Sequence, residues 1–132
     1  MRKSLRNSGT DSGKKRKKMA ECLFCRIVSK KVPAKFIYED ERIMAFEDIN
    51  PQAPVHALVI PKKHISTTLD IEDEDNELIG HLFQTAGKIA KEKGIAERGF
   101  RLVVNTNQEA GQTVYHVHIH ILGGRHMHWP PG

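Results

Sequence analysis

From Val114 to Leu122 the chain reads Val114-Tyr115-His116-Val117-His118-Ile119-His120-Ile121-Leu122, a run in which histidine and apolar side chains alternate one for one. Successive side chains of a β-strand point to opposite faces. The run therefore predicts a strand that buries Val117, Ile119 and Ile121 while His116, His118 and His120 line the other face, roughly 6 to 7 Å apart. One histidine on such a face is usually a packing residue. Three in strict register call for chemistry.

Two chemistries use imidazoles in this arrangement. Histidines at i and i+2 of a strand can hold Zn²⁺ through their neutral form and leave a position open for hydrolysis. Alternatively, imidazole is largely a free base at neutral pH and attacks phosphorus without a strong activating base. Spacing alone leaves both open.

The remaining pattern predicts the frame around this strand. Leu23, Phe24, Ile27 and Val28 recur at helical spacing between Cys22 and Val32, with Pro33 as the stop. Lys35 to Tyr38 and Arg42 to Phe46 read as a hairpin, and Val55 to Ile60 as a third strand after the turn Asn50-Pro51-Gln52-Ala53-Pro54. Leu78, Ile79, Leu82, Phe83, Ala86, Ile89 and Ala90 form the stripe of a long amphipathic helix whose acidic approach, Asp70 to Asp75, suits its positive N-terminal end. Gly94 and Gly99 bracket its exit, and Phe100 to Asn105 reads as a strand before the histidine run. Five strands and two helices, with the helices set apart from hairpin-like strands, predict an α+β domain on an antiparallel sheet.

The formal net charge of +5 suggests a nucleic-acid partner until its location is considered. Eight basic residues within the first nineteen face only Asp11, and the rest of the chain carries 13 basic against 15 acidic residues. Residues 1–19 are expected to be a disordered basic extension, and 20–132 the folded domain. The run Lys14 to Lys18 reads either as a solvated extension or as a nuclear-localisation or nucleic-acid patch, so nucleic acid is expected through this segment alone. With 39% hydrophobic residues and no apolar stretch of membrane-spanning length, the expected location is the cytoplasm, with the nucleus as an alternative.

The histidine run resembles the signature of the histidine-triad family, and further segments are similar to its Hint branch in order and spacing. These are Ala45-Phe46-Glu47-Asp48-Ile49, Pro51-Gln52-Ala53-Pro54, His56 to Ser66, Leu102-Val103-Val104-Asn105, and Gly123-Gly124-Arg125 with Met127 to Gly132. The resemblance implies a homodimer, with the sheet continuing across the interface, that hydrolyses purine nucleoside phosphoramidates. It implies His118 as the nucleophile, His120 at the phosphate and leaving group, His56 as a support from a neighbouring strand, and Thr113 as a donor where many relatives carry serine. Asp48 matches the carboxylate for the ribose, Asn105 matches a phosphate-binding amide, Gln112 a substrate-binding position, and Phe24, Ile27, Phe46, Ile49 and Leu58 match the apolar cleft for the purine. Trp129 matches the family's C-terminal segment, which the resemblance implies reaches toward the partner subunit's site. The same triad also serves dinucleoside polyphosphate hydrolases. A zinc-containing nucleotide-sensing module is the alternative outside enzymes.

Cys22 and Cys25 form a C-x-x-C, which is a metal half-site, a redox pair or two packed thiols. The resemblance completes a structural zinc site with His56 and His116, leaving His118 free and giving the metal no part in catalysis. His81 reads as a boundary residue of the long helix, His126 and His128 as shaping substrate access, and Lys62 and Lys63 as a solvated turn after Pro61.

Overall fold

The computed structural model describes residues 21–132. The expectations placed on residues 1–19 lie outside this range. Five strands form one antiparallel sheet: β1 (Phe36–Glu39), β2 (Ile43–Glu47), β3 (Val55–Pro61), β4 (Phe100–Val103) and β5 (Ile119–Gly123), in the order β1-β2-β3-β5-β4. Two α-helices accompany them, α1 (Leu23–Val28) and α2 (Asn76–Glu92). The α+β class, the strand count and the two helices agree with the sequence reading. No helix among the described residues is long and apolar enough to cross a membrane.

Strand alternation sorts the sheet into two faces. Ile43 and Ala45, Ala57 and Val59, and Ile119 and Ile121 face α2, where Leu82, Ala86, Ile89 and Ala90 complete the larger core. Full burial of a residue such as Leu82 stabilises by roughly 1.5–3 kcal/mol. The opposite face carries Met44, Phe46, Leu58 and Ile60 beneath α1, whose Cys22, Phe24 and Ile27 close the smaller core. Helix α2 stops where glycine permits it. Gly94 adopts φ +77°, the Ile95 amide donates to Ala90 O at 3.0 Å and the Gly94 amide to Lys91 O at 3.1 Å, the paired bonds of a left-handed C-cap.

Three elements are shorter than the patterns suggest, and the first, β4, stops at Val103 and not at Asn105. Helix α1 ends at Val28, well before Pro33, because Lys30 turns into the left-handed region at φ 65°. The final strand begins at Ile119 and not at Val114, since the segment before it spends its hydrogen bonds elsewhere. The Val117 amide donates to Ile65 O at 2.6 Å, and the His116 and His118 rings each donate to a carbonyl. Alternation alone did not reveal this bend, because side-chain polarity does not report what the backbone pairs with.

Candidate active site

The site lies on the α1 face of the sheet, where β3 and β5 run side by side. In their register Leu58 opposes His120 and His56 opposes Leu122, so His56 and His120 are diagonal neighbours on one face. His56 Nε2 lies 2.9 Å from His120 Nδ1 and 3.3 Å from Asp48 Oδ2. The Gln52 amide donates to His56 Nδ1 at 3.0 Å, and that bond assigns the tautomer. With Nδ1 accepting, neutral His56 carries its proton on Nε2 and donates it toward His120 Nδ1. His120 then holds its own proton on Nε2, the atom left for a ligand.

Asp48 is placed by the chain around it. Its amide donates to His56 O at 2.9 Å, and its Oδ1 accepts from the Asn50 amide at 2.8 Å. Burial lowers the pKa of His56, against the pull of Asp48, and burial with the neighbouring imidazoles of His118 and His120's partner His56 lowers that of His120 to about 4. Both rings are neutral donors near pH 7.

His118 is oriented differently. Its Nδ1 donates to His116 O at 2.7 Å, so the neutral ring leaves the Nε2 lone pair unshared. The ring is buried, 4.9 Å from the His120 ring, and the edge-on ring of Phe24 stands 5.0 Å from it. Burial lowers its pKa below the ordinary imidazole value. The result is a fixed, uncharged ring nitrogen with an open lone pair, beside a hydrogen-bond donor.

His116 belongs to a second cluster. It is fully buried, burial pushes its pKa down to about 4, and its Nε2 donates to Pro61 O at 2.7 Å. Its Nδ1 therefore turns toward the cysteines, 3.5 Å from Cys22 Sγ and 3.6 Å from Cys25 Sγ. His64 Nδ1 completes the group at 3.2 Å from Cys25 Sγ, while His64 Nε2 meets Ser66 Oγ at 3.3 Å. All four donor atoms lie within 4.8 Å of one another. Zinc bonds of about 2.0–2.3 Å in a tetrahedron set donor atoms roughly 3.3–3.8 Å apart, so the set fits this ion. Burial and the neighbouring Cys22 push the Cys25 thiol up to about 12, a shift that a divalent cation reverses by taking the thiolate.

This cluster corrects the expected ligand set: His64, not His56, stands with Cys22, Cys25 and His116. The reason is the length of β3. His56 opens that strand and His64 follows its end at Pro61, while α1 brings the cysteines to the Pro61 end. The sequence reading gave His64 no role, since it lies outside the alternating run. The C-x-x-C and the short interval from Pro61 to His64 were the available signal.

The other expected residues are dispersed. Asn105 is half-buried and follows the end of β4 at Val103. Thr113 lies exposed in the loop before the triad. Gln112 is tied into the loop around it. Its Nε2 donates to Ser66 O at 2.8 Å and Val114 O at 3.1 Å, and its Oε1 accepts from the Asn107 amide at 2.8 Å, so this buried amide staples the loop. Phe24, Ile27, Phe46 and Leu58 are core residues of the α1 face, whereas Ile49 is 98% and Trp129 82% exposed. His81 sits at the boundary of α2, as expected, with its Nε2 2.7 Å from Asp40 Oδ2. Lys62 pairs with Glu39 at 2.7 Å, and Lys63 with Asp75 at 2.6 Å, so the turn after Pro61 is an ion-paired one.

Comparison with known proteins matches the HIT domain over residues 29–127. The chain belongs to the HIT domain family. A HIT-like protein of Synechocystis is 50% identical over 115 residues, 86% of this chain and 100% of that one. A crystal structure of a HIT family hydrolase from Legionella pneumophila is 53% identical, with a TM-score of 0.83 over 84% of this chain and 99% of that chain. A histidine triad protein from Clostridium difficile is 44% identical, with a TM-score of 0.78 over 81% and 93% of the two chains. The HIT fold is thus shared at high identity.

Proposed function

We propose that this HIT-domain protein is a nucleotide hydrolase of the Hint type, which cleaves the P–N bond of purine nucleoside 5′-phosphoramidates through a nucleotidyl-histidine on His118. The observation that carries the reading is the bond from His118 Nδ1 to His116 O, which presents Nε2 as the nucleophile. Nε2 attacks the α-phosphorus, the P–N bond breaks, and the leaving amine takes a proton from solvent, while the His120 Nε2–H, which His56 and Asp48 keep oriented, donates a hydrogen bond to the charge that develops at the reacting group. Water then attacks the same phosphorus and returns one proton to solvent, the His118–phosphorus bond breaks, and the nucleoside monophosphate leaves with neutral His118 restored. Asn105 supplies an amide to the phosphoryl oxygens, Asp48 a carboxylate to the ribose, and Thr113 a hydroxyl to the leaving group. The relatives named HIT family hydrolases support hydrolysis.

Cys22, Cys25, His64 and His116 would hold a structural zinc ion, which supplies no chemistry at phosphorus and stiffens the segment that presents the His116 carbonyl. A homodimer joined along the free edge of β4 would continue the sheet and give exposed Trp129 and Ile49 a surface to cover. The test is release of nucleoside monophosphate from adenosine phosphoramidate and, in parallel, from a diadenosine polyphosphate. Faster phosphoramidate cleavage, lost by at least about 10³-fold in His118→Ala with nucleotide affinity retained, is expected. Preference for the dinucleotide would move the protein to polyphosphate hydrolysis. Near-wild-type turnover by His118→Ala would overturn the mechanism.

A further inference from the structure

The turn between β2 and β3 touches the site through one backbone group, the Gln52 amide, which donates to His56 Nδ1 at 3.0 Å. Residues 50–54 are poorly equipped to hold themselves there. All are exposed except half-buried Ala53, and Pro51 and Pro54 bring no N–H. The bonds within the turn are short-range: the Asn50 amide donates to Asp48 Oδ1 at 2.8 Å, and Gln52 Nε2 to Asn50 O at 3.1 Å.

Among the described residues, Arg125 is the one side chain from outside residues 48–56 that hydrogen-bonds this turn. Its Nε and Nη2 donate to Gln52 O at 3.2 and 3.1 Å, and its Nη1 donates to His126 O at 3.0 Å. Two N–H groups of one planar fork thus converge on a single carbonyl, a geometry that an ammonium does not reproduce, and a charged donor makes the stronger bond. The backbone delivers the fork. Val55 opposes Gly123 where β3 and β5 part, and the next residue, Gly124, turns at φ +93°. A Cβ on Gly124 would stand 2.9 Å from Pro54 Cβ, so the bare glycine lets the exit of β5 lie against the turn and Arg125 reach back to Gln52.

The consequence runs through His56 to His120. With the Gln52 N–H on its Nδ1, neutral His56 keeps its proton on Nε2 and gives it to His120 Nδ1, 2.9 Å away. If Gln52 moves off, His56 Nδ1 is free to take the proton instead. His56 Nε2 then accepts from His120 Nδ1, and His120 Nε2 loses its hydrogen, so the two imidazoles switch together.

We propose that Arg125 is a positioning residue for this site: by gripping Gln52 O it keeps the Gln52 amide on His56 and thereby sets which nitrogen of His120 carries the proton. The grip lies within one chain. Its effect on turnover rests on the hydrolysis of phosphoramidates proposed above, whereas its effect on the tautomers does not.

The test is nitrogen-resolved NMR of the imidazoles in the full chain without substrate, near pH 7, together with kcat and KM for adenosine phosphoramidate. Wild type should carry its His56 and His120 protons on Nε2. Arg125→Gln, and Arg125→Lys, which keeps the charge but not the fork, should each move at least about one fifth of both rings to the Nδ1-protonated form. Each should lower kcat about tenfold with KM within about twofold. Arg101→Gln breaks another arginine–carbonyl bond, from Arg101 Nη2 to His128 O at 2.9 Å, and should leave tautomers and kcat as in wild type. Tautomers unchanged in both Arg125 variants, an equal change in Arg101→Gln, or a wild-type His56 proton on Nδ1 would overturn the proposal. Tautomers that shift as expected in a protein that leaves the phosphoramidate intact would support the role of Arg125 and count against the substrate alone.

Discussion

The carbonyl oxygen of His116 accepts the Nδ1 proton of His118 at 2.7 Å, while the side chain of the same His116 turns its Nδ1 to two cysteine sulfurs. One residue thus joins the thiol cluster to His118, the proposed nucleophile, through its backbone on one side and its ring on the other. Nitrogen-resolved NMR of the imidazoles should find His118 protonated at Nδ1 with Nε2 bare, and His116 protonated at Nε2. A His118 proton found on Nε2 would remove the nucleophile from the mechanism.

Metal content separates the two histidines that compete for the fourth ligand position. Zinc-loaded protein should hold about one ion per chain, and Cys25→Ala or His64→Ala should lower this severalfold together with the melting temperature. His56→Ala should keep its zinc and lose roughly 10²-fold or more in kcat, since it removes the partner that fixes the His120 tautomer. Zinc lost in His56→Ala and kept in His64→Ala would reverse the assignment.

Gly123 closes β5 against the loop after α2. A Cβ added there would stand 2.5 Å from Ile95 Cδ1 and 3.0 Å from Ile95 Cβ, and Ile95 is buried in the larger core. Gly123→Ala should therefore cost about 1–3 kcal/mol in denaturant unfolding, by overpacking. Combining it with Ile95→Ala should recover part of the loss that adding the two single effects would predict.

Acid sensitivity should trace in part to Asp75. This carboxylate is buried at the start of α2, accepts from Lys63 Nζ at 2.6 Å and from the Glu72 amide at 2.9 Å, and these bonds hold its pKa below the ordinary value. A depressed folded pKa gives stability that is full above the unfolded value, near 4, and is lost as pH falls through the folded one. Asp75→Asn should lower stability by about 1 kcal/mol at pH 7, with the difference from wild type shrinking below about pH 4. A constant difference from pH 7 to pH 3 would show that the charge plays no part.

Much of this protein was set by patterns between near neighbours. Short β-branched and apolar runs between turn residues marked β2 and β3, period-two alternation marked the buried half of the histidine run, the Leu82-Ala86-Ile89 stripe marked α2, and Gly94 marked its end, because a residue's exposure and φ angle depend on the few residues beside it. The resemblance likewise singled out His118 before any coordinate. Tertiary structure decided the roles within the cluster. His64 stands 39 residues from Cys25 and His116 stands 94 from Cys22, and no local pattern says which end of β3 the cysteines of α1 will meet. It also decided that the run bends at Val117 to reach Ile65 O, and that Gln112 spends its amide on the loop. Hydrogen bonds and metal ligands are chosen by distance in space, which the packing of α1 across the sheet sets and sequence separation does not.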